Sequence, residues 1–231
     1  MVKLLAKVAN MKFQVIKVKE DVLQENSKRA DELRQILKNN GTYMINVMAS
    51  PGSGKTTLLT QLIKRLKNKY QIGVMEADID GDVDAKNIAE WTGVSTIQIH
   101  TSGACHLTAQ MVDDALSAFN LEGLNLIFLE NVGNLVCPAE FDTGSNINMM
   151  LLSVPEGHDK PLKYPLMFQV SKIAVITKID TAEIFDFDFD KCVENIHYRN
   201  KDAKVFKVSA IKDDGVHELA DYLDKLIKEH L

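Results

Sequence analysis

The chain of 231 residues contains few cysteines and no long apolar run, and each scarcity excludes a class of protein. Three cysteines are too few, and odd in number, for a disulfide framework, so a reducing cytoplasm is the expected compartment. No apolar run approaches the ~20 residues of a membrane helix, and the N-terminus lacks a signal-peptide core, so we expect no membrane association. Basic residues number 27 against 32 acidic ones, and the net charge of −5 argues against a general nucleic-acid binder.

The first forty residues differ in composition from the rest. The segment 17–40 is highly charged and carries apolar residues at helical spacing, and Gly41 follows it as a natural stop. We predict an N-terminal extension, 1–41, built on an exposed amphipathic helix, and a single domain over 42–231. Met11 is an alternative start, since the first ten residues carry little pattern.

Short apolar runs alternate with amphipathic stretches in the rest of the chain. Nearly continuous apolar strands that alternate with helices are typical of a parallel sheet covered on both faces. Hydrophobic residues at 45% and charged residues at 26% are ordinary globular values. The predicted strands are 43–48, 72–77, 96–99, 124–129, 149–154, 173–177 and 204–208, and the predicted helices include 55–67, 84–91, 106–118 and 216–228.

A glycine-rich stretch, 49–56 (ASPGSGKT), follows the first predicted strand and precedes a helix. In that setting the pattern predicts a P-loop, so the expected fold class is an α/β P-loop NTPase with a doubly wound, mainly parallel sheet flanked by helices. Backbone N–H groups would surround phosphate oxygens, and the helix N-terminus would add its partial positive charge. Ala49 stands where the pattern has its first glycine, which requires a negative φ or modest strain there.

The residues of this loop have separate predicted roles. Lys55 would reach the β- and γ-phosphates, and Thr56 would coordinate Mg²⁺ through its hydroxyl. A glycine-rich turn without a ligand is the alternative, and the strand–helix junction favours nucleotide binding. The predicted nucleotide-binding residues of the loop are Gly52, Ser53, Gly54, Lys55, Thr56 and Thr57.

Acidic residues follow two other strands, at the edge where ligands bind in open α/β sheets. After the second strand, Asp78 is predicted to hold Mg²⁺ or to orient the attacking water, and Asp84 is a candidate helix cap. After the fourth strand, Glu130 fits a carboxylate on the metal side, and Gly133 fits a glycine that senses the γ-phosphate. A helix cap is the alternative for each single acid. The predicted catalytic residues are Lys55, Asp78 and Glu130, and the predicted Mg²⁺ ligands are Thr56, Asp78 and Glu130.

Two later loops predict selection of guanine. Lys178 and Asp180, in TKID, resemble the element of GTPases whose aspartate accepts the N1 and N2 hydrogens of guanine, a pair of donors that adenine lacks. Thr177 replaces the usual asparagine of that element. Ser209 and Ala210, in VSA, resemble the loop whose alanine N–H meets guanine O6. Two such loops in this order after a P-loop predict GTP and GDP rather than ATP as the bound nucleotides.

Thiol and imidazole groups form a second candidate site. Cys105 and His106 are adjacent, and Cys137 lies seven residues after Glu130. Thiol and imidazole ligands suit nickel and zinc. The alternative is a buried thiol beside a histidine whose ring nitrogens are hydrogen-bonded within the protein. Cys105 is predicted at a helix N-terminus, where its pKa would be lowered. Three ligands are one short of a closed tetrahedron, so the site is labile or is completed by a second subunit. Cys192 is predicted to be structural.

The chain resembles the HypB family of hydrogenase nickel-incorporation GTPases in SPGSGKTT, EADIDGDVDA, TSGACHL, ENVGNLVCP, SVPEGHDKPLKYP, TKID and VSA. The resemblance implies a GTP-dependent homodimer that binds nickel or zinc at Cys105, His106 and Cys137. It also implies nickel delivery during nickel–iron hydrogenase maturation, with the nickel chaperone HypA and the hydrogenase large-subunit precursor as partners. Many members hold further nickel near the N-terminus. Here no cysteine precedes Cys105 and no histidine precedes His100, so no such store is expected.

Three rival functions use a similar motif set. A small-molecule kinase would clamp its phosphoryl group with several arginines, and none of the predicted loops supplies them. A metallochaperone GTPase for urease or a cobalamin enzyme is the nearest functional neighbour, and a partner-binding module that uses nucleotide only for assembly is the third. Since no residue stands out as an arginine finger, intrinsic GTP hydrolysis is expected to be slow.

Overall fold

A computed structural model of the chain describes residues 18–79 and 81–231, so the alternative start at Met11 lies outside the described residues. The helices are α1 (Val18–Asn39), α2 (Lys55–Leu66), α3 (Val83–Thr92), α4 (Ala109–Leu116), α5 (Cys137–Glu140), α6 (Lys160–Lys163), α7 (Pro165–Gln169), α8 (Phe189–Arg199) and α9 (Val216–His230). The strands are β1 (Tyr43–Ala49), β2 (Ile72–Asp78), β3 (Ser95–His100), β4 (Leu126–Glu130), β5 (Ile147–Ser153), β6 (Ile173–Thr177) and β7 (Lys204–Val208).

The strands form one parallel sheet in the order β3-β2-β4-β1-β5-β6-β7. The seven predicted strands are all confirmed, and so is the doubly wound α/β class. The pattern was readable because β1, β4 and β6 are buried along their whole length, which requires apolar residues on both faces. Strand order reverses at β1, so the loop after β1 lies at the point where open α/β sheets bind ligands.

Helices cover both faces of the sheet. Ile45 and Val47 of β1 pack with α2 and α9, whereas Met44 and Met48 point to the other face, where α1, α4, α7 and α8 pack. This alternation is the two-residue period of a strand with a core on each side. Within the described part of the chain, no helix is long and apolar enough to cross a membrane.

One predicted helix begins later than expected. The segment 106–118 contributes only α4, because Thr108 ends the preceding loop and its hydroxyl accepts a hydrogen bond from the N–H of Met111 at 3.3 Å. Gly103, earlier in this loop, has a φ of 95°, which a right-handed helix excludes. The prediction that Cys105 lies at a helix N-terminus is therefore wrong.

Helix α1 buries its apolar face against the sheet. Ala30, Leu33 and Leu37 are fully buried and share a cluster with side chains of β1, β4 and α4. Gly144 lies directly under this face, since a Cβ at that position would lie 2.8 Å from the Cβ of Leu33. The expectation of an exposed helix therefore holds only for the charged face of α1. The predicted domain boundary after Gly41 stays a prediction.

Candidate functional site

The loop between β1 and α2 has the conformation that a phosphate-binding loop requires. Gly52 and Gly54 have φ values of 71° and 93°, in the left-handed region that glycine enters without a steric cost. Gly54 is the N-cap of α2, so Lys55 opens the helix and the unpaired N–H groups of its first turn lie at the loop. Ala49 ends β1 with a φ outside the positive range, so the replacement of the first glycine costs no left-handed strain.

A cavity of about 230 Å³ opens beside this loop, at the carboxyl ends of β2 and β4. Carboxylate oxygens of Glu76, Asp84 and Glu130 lie there within 4.8 Å of one another. The hydroxyl of Thr56 donates to Oε1 of Glu130 at 3.1 Å. The structure therefore brings together two of the predicted Mg²⁺ ligands, Thr56 and Glu130, and adds two further carboxylates to them.

Two aspartates near this cavity have different surroundings. Asp78 lines the cavity, but its Oδ1 accepts a hydrogen bond from the N–H of Gly81 at 2.7 Å. Asp84 was a candidate cap of α3, yet Asp82 precedes the helix and Asp84 lies in its first turn, with its carboxylate near that of Glu76. The helix-cap alternative for Asp84 is therefore wrong, and Asp84 belongs to the carboxylate cluster.

Glu76 was missed by the sequence reasoning. Strands β2 and β4 are neighbours in the sheet, and Glu76 pairs with Glu130 in their register. The sequence does not show which strands are neighbours or in which register they pair. A weaker signal was present, because Glu76 and Asp78 are two residues apart in a strand and so share one face with each other.

The buried carboxylates of this cluster have strongly raised pKa values. Burial raises the pKa of Glu130 to about 8, the charges of Glu76 and Asp84 add to the effect, and Lys55 opposes it. Burial also raises the pKa of Glu76 to about 7. Among the described residues, Oε2 of Glu76 and Oε2 of Glu130 are buried without a hydrogen-bond partner. Because unpaired buried oxygens are costly and carboxylate and hydroxyl oxygens suit Mg²⁺, these residues fit a magnesium ion.

A second cavity, of about 250 Å³, lies on the other side of the P-loop and contains the residues predicted to bind guanine. Its lining includes Thr177, Lys178, Asp180, Ser209 and Ala210. Lys178 has a left-handed φ of 59°, and its Nζ donates to the carbonyl of Gly52 at 2.6 Å. The hydroxyl of Ser209 donates to Oδ1 of Asp180 at 2.6 Å, which fixes the orientation of that carboxylate. The predicted base loops therefore share this cavity with Ser53, Gly54 and Thr57 of the phosphate-loop region.

The predicted nickel or zinc ligands also converge. Ligand atoms of Cys105, His106 and Cys137, here called the Cys/His cluster, lie within 4.8 Å of one another. The two sulfur atoms are 3.0 Å apart, and Sγ of Cys105 is 3.8 Å from Nδ1 of His106. The imidazole stacks on the ring of Phe141 with a centroid distance of 3.8 Å. Thiol and imidazole groups at this separation fit one borderline metal ion.

The protonation of the Cys/His cluster differs from the expectation. The hydrogen bond to Cys137 raises the pKa of the Cys105 thiol, and burial adds to this effect. The predicted lowering of that pKa is therefore wrong, because Cys105 lies in a loop and not at a helix N-terminus. Burial lowers the pKa of His106, which favours the neutral imidazole that a metal needs. Cys192 is fully buried in α8, and burial raises its pKa to about 12, as expected of a structural thiol.

The segment after β4 connects the two sites. A Cβ on Gly133 would lie 3.0 Å from Cγ and 3.1 Å from the backbone N of Pro51, so the backbone of Gly133 touches the P-loop. The side-chain amide of Asn134 donates to the carbonyl of Cys105 at 3.2 Å. Cys137 follows three residues later as the first residue of α5. A displacement of Gly133 from the P-loop would thus act on both halves of the Cys/His cluster.

Comparison with known proteins identifies a family and solved structures to which this chain is similar. Residues 43–207 match the family described as "CobW/HypB/UreG, nucleotide-binding domain". The chain is 39% identical over 210 residues to the hydrogenase maturation factor HypB of Escherichia coli, covering 91% of this chain and 72% of that one. It is similar to the structure of HypB from Helicobacter pylori in complex with nickel, with a TM-score of 0.84, 36% identity, and coverage of 89% of this chain and 96% of that one.

A second solved structure agrees with the first. HypB from Archaeoglobus fulgidus is similar with a TM-score of 0.82 and 34% identity, over 88% of this chain and 99% of that one. These three alignments cover at least 88% of this chain and at least 72% of each relative. The chain therefore belongs to the CobW/HypB/UreG family of nucleotide-binding domains, and within it to the HypB hydrogenase maturation factors.

Proposed function

We propose that this protein is a GTP-hydrolysing nickel metallochaperone that binds nickel or zinc at the Cys/His cluster and delivers nickel for the maturation of nickel–iron hydrogenase. The observation that carries the proposal is the convergence of Cys105, His106 and Cys137 beside Gly133, whose backbone touches the P-loop. The relatives support the pathway, because they are hydrogenase maturation factors and one solved relative is in complex with nickel.

The nucleotide is proposed to lie across the P-loop, with its base in the cavity of Asp180 and its phosphates toward the cavity of Glu130. Asp180, oriented by Ser209, would accept the N1 and N2 hydrogens of guanine, and the N–H of Ala210 would meet O6. The stem of Lys178 would pack on the base. The loop glycines and the N-terminus of α2 would bind the phosphates, with Lys55 at the β- and γ-phosphates.

Hydrolysis is proposed to depend on the carboxylates at the ends of β2 and β4. Thr56 and Glu130, with Glu76 and Asp84 beside them, would hold Mg²⁺, which would neutralise charge on the phosphate oxygens. Asp78, at the rim of the same cavity, is proposed to orient the attacking water. We expect a slow intrinsic rate, because no arginine lines this cavity in the described part of the chain.

The two sites are proposed to act as one switch. GTP would hold the segment from Gly133 to Cys137 against the P-loop, and loss of the γ-phosphate would release it and change the geometry at the metal. A ligand shifts such an equilibrium only through different affinities for the two states, and the coupling is reciprocal. Nickel should therefore change the affinity for GTP as much as GTP changes the affinity for nickel.

The proposal includes a compartment and partners. A protein with free thiols of this kind is expected in the cytoplasm. Since the Cys/His cluster offers three ligands, a second copy in a GTP-dependent homodimer would supply the groups that complete the coordination. Nickel would arrive from the chaperone HypA and leave toward the hydrogenase large-subunit precursor.

Nickel titration in two nucleotide states tests the proposal. The nickel affinity of the purified protein is measured with GDP and with a non-hydrolysable GTP analogue, beside the Cys137→Ala variant. We expect different affinities in the two states and a large loss in Cys137→Ala. Cys192→Ala is the matched control, since it removes a buried thiol outside the cluster. Equal nickel affinities in both nucleotide states would refute the coupling.

A further inference from the structure

We infer that Asn26 of α1 is a positioning residue of the Cys/His cluster: its side-chain amide joins the two chain segments that carry the metal ligands. The consequence for nickel affinity rests on the proposed function, whereas the geometric role does not. Helix α1 thereby becomes part of the metal site, although none of its side chains belongs to the Cys/His cluster.

Asn26 uses both ends of its amide. Its Oδ1 accepts a hydrogen bond from the N–H of Ala109 at 2.8 Å, and its Nδ2 donates to the carbonyl of Asp142 at 2.8 Å. Ala109 lies three residues after His106, and Asp142 lies five residues after Cys137. One buried side chain, 8% exposed, therefore bridges the segment that carries Cys105 and His106 and the segment that carries Cys137.

Asn26 gives the N–H of Ala109 a hydrogen-bond acceptor that α4 itself does not supply. Ala109 is the first residue of α4, so its N–H has no carbonyl one turn earlier to donate to, and the residue is fully buried. A buried donor left without an acceptor costs more than a normal hydrogen bond contributes. Asn26 therefore holds the N-terminus of α4, and with it the loop of Cys105 and His106, against α1.

The bond to Asp142 acts on the other half of the cluster. Asp142 directly follows Phe141, whose ring stacks on His106 at 3.8 Å with an interplanar angle of 23°. The carboxylate of Asp142 forms an ion pair with the guanidinium of Arg34, which lies eight residues after Asn26 in α1. The segment from Cys137 to Asp142 is thus fixed to α1 at two atoms of its last residue. Because the cluster has its ligands on both segments, α1 sets how closely the two halves approach.

The amide chemistry allows the two bonds to be separated. Asn26→Asp keeps an acceptor for the N–H of Ala109, and its negative charge is favourable at a helix N-terminus. The same variant has no donor for the carbonyl of Asp142 and repels it. Outer groups that orient metal ligands commonly change metal affinity by about 10–100-fold when altered. Asn26→Asp is therefore expected to release the Cys137 segment while it preserves α4.

A matched control loosens the same helix elsewhere. Leu37 is fully buried near the C-terminal end of α1, eleven residues after Asn26, and its apolar side chain takes no part in the amide bridge. Leu37→Val removes one buried methylene and lowers thermal stability without changing the amide bridge. Any effect of Asn26→Asp that Leu37→Val shares is due to stability, and any effect beyond it is due to positioning.

The first measurement is metal binding by the full chain. Nickel affinity is measured by competition with a chelator, and Co²⁺ is added in place of nickel to record the sulfur-to-metal charge-transfer absorption. We expect Asn26→Asp to weaken nickel binding at least about tenfold and to shift the Co²⁺ bands. GDP affinity should stay within about twofold of the original protein, because Asn26 lies outside both nucleotide cavities.

The second measurement needs no metal. Sulfur atoms 3.0 Å apart should form a Cys105–Cys137 disulfide readily when a diazene oxidant accepts the two electrons and two protons, and peptide mapping quantifies the product. We expect slower cross-linking in Asn26→Asp than in Leu37→Val. If Asn26→Asp cross-links more slowly than Leu37→Val but the original protein binds no nickel, the proposed function fails and the positioning role stands. The inference would be overturned if Asn26→Asp and Leu37→Val had the same nickel affinity and the same rate of cross-linking.

Discussion

Glu76 on β2 and Glu130 on β4 pair across the sheet, and each keeps one buried carboxylate oxygen for which the described residues offer no hydrogen-bond partner. Burial raises both pKa values, to about 7 and about 8, although Lys55 is near. The metal-free protein therefore holds protons on this pair close to neutral pH. Binding of a cation in the cavity should release them, which links metal binding to pH.

The first prediction concerns the pH dependence of stability without nucleotide or metal. The folded pKa of Glu130, about 8, lies above its unfolded value of about 4.3, so the folded state binds the proton more tightly. The resulting stabilisation is complete below the unfolded pKa and is lost as the pH rises through the folded pKa. Thermal unfolding in a chelator should therefore show lower stability at about pH 8 than at about pH 5.

Glu130→Gln tests the origin of that slope. The neutral amide has no proton to lose, so the variant should be more stable than the original protein at about pH 8 and should vary less with pH. Glu122→Gln, which changes an exposed acid, is the control and should keep the original slope. An unchanged slope in Glu130→Gln would contradict the assignment of the effect to this carboxyl group.

The strands and the P-loop could be predicted because their signals are local. A strand buried on both faces is apolar at most positions, and this holds for β1 apart from Asn46 and for β6 apart from Thr177. A P-loop needs Gly52 and Gly54 at fixed spacing before a helix, and the pattern shows this directly. The four-residue helix α5 could not be predicted, because it is too short for a 3.6-residue period to appear.

The rest of the site depends on tertiary contacts. Glu76 joins Glu130 only through the pairing of β2 with β4, which no local pattern shows. The raised pKa of Cys105 results from a hydrogen bond to Cys137, a partner that lies 32 residues away. From the sequence, Asn26 looks like an ordinary surface residue of a charged helix. Its role is not visible there, because the two hydrogen-bond partners of its amide lie 83 and 116 residues away.

The second prediction concerns nucleotide selection by Asp180. Asp180→Asn should weaken GDP binding about 10–100-fold, because the amide keeps one acceptor oxygen and loses the other, and one hydrogen bond to a charged acceptor is worth about 1.5–3 kcal/mol. Xanthosine diphosphate, which carries an acceptor in place of the guanine N2 donors, should bind the variant better than it binds the original protein. Calorimetric titration with both nucleotides measures the change in nucleotide preference.

Ser209→Ala is the control for this pair. It removes the hydroxyl that donates to Asp180 at 2.6 Å but leaves the carboxylate in place. We expect a loss of GDP affinity below about tenfold and no gain for the xanthine nucleotide. If Asp180→Asn and the original protein bound GDP equally, the base would have to lie elsewhere.

The third prediction concerns the contact between Gly133 and Pro51. In Gly133→Ala the new methyl would lie 3.0–3.2 Å from three atoms of Pro51, two of them backbone atoms, so the segment and the P-loop should separate by about a few tenths of an ångström. We expect the difference in nickel affinity between the GTP-analogue and GDP states to shrink and the rate of GTP hydrolysis to fall about tenfold or more. Nickel titration in both states and phosphate release measure the two effects.

Gly73→Ala is the matched control for that variant. The three atoms nearest to its methyl would be side-chain atoms of Phe119 and Leu124, at 3.1 Å and 3.4 Å, and Gly73 lines neither nucleotide cavity. A loss of stability without a loss of coupling is the expected result. Wild-type hydrolysis and coupling in Gly133→Ala would show that the P-loop contact has no part in the switch.

The last prediction concerns acid stability and lies outside the functional site. The ammonium of Lys228 and the hydroxyl of Tyr70 donate to the buried carboxylate of Asp224 at 2.7 Å and 2.8 Å, and these bonds hold the pKa of Asp224 below its ordinary value. A depressed folded pKa contributes stability above the unfolded pKa, and the contribution is lost as the pH falls through the folded pKa. Asp224→Asn should therefore cost about 1–3 kcal/mol at neutral pH and progressively less below about pH 4.

Denaturant titration of Asp224→Asn at several pH values measures this loss. Because Tyr70 would keep an amide oxygen as a partner in the variant, most of the change should come from the lost charge next to Lys228. Tyr70→Phe separates the two contributions, since it removes the hydrogen bond of the hydroxyl and leaves the ion pairs of Asp224 with Lys228 and Lys69. It should cost about 1 kcal/mol with a weaker dependence on acid pH than Asp224→Asn. An equal cost of Asp224→Asn at neutral pH and at about pH 3 would contradict the ionisation as its cause.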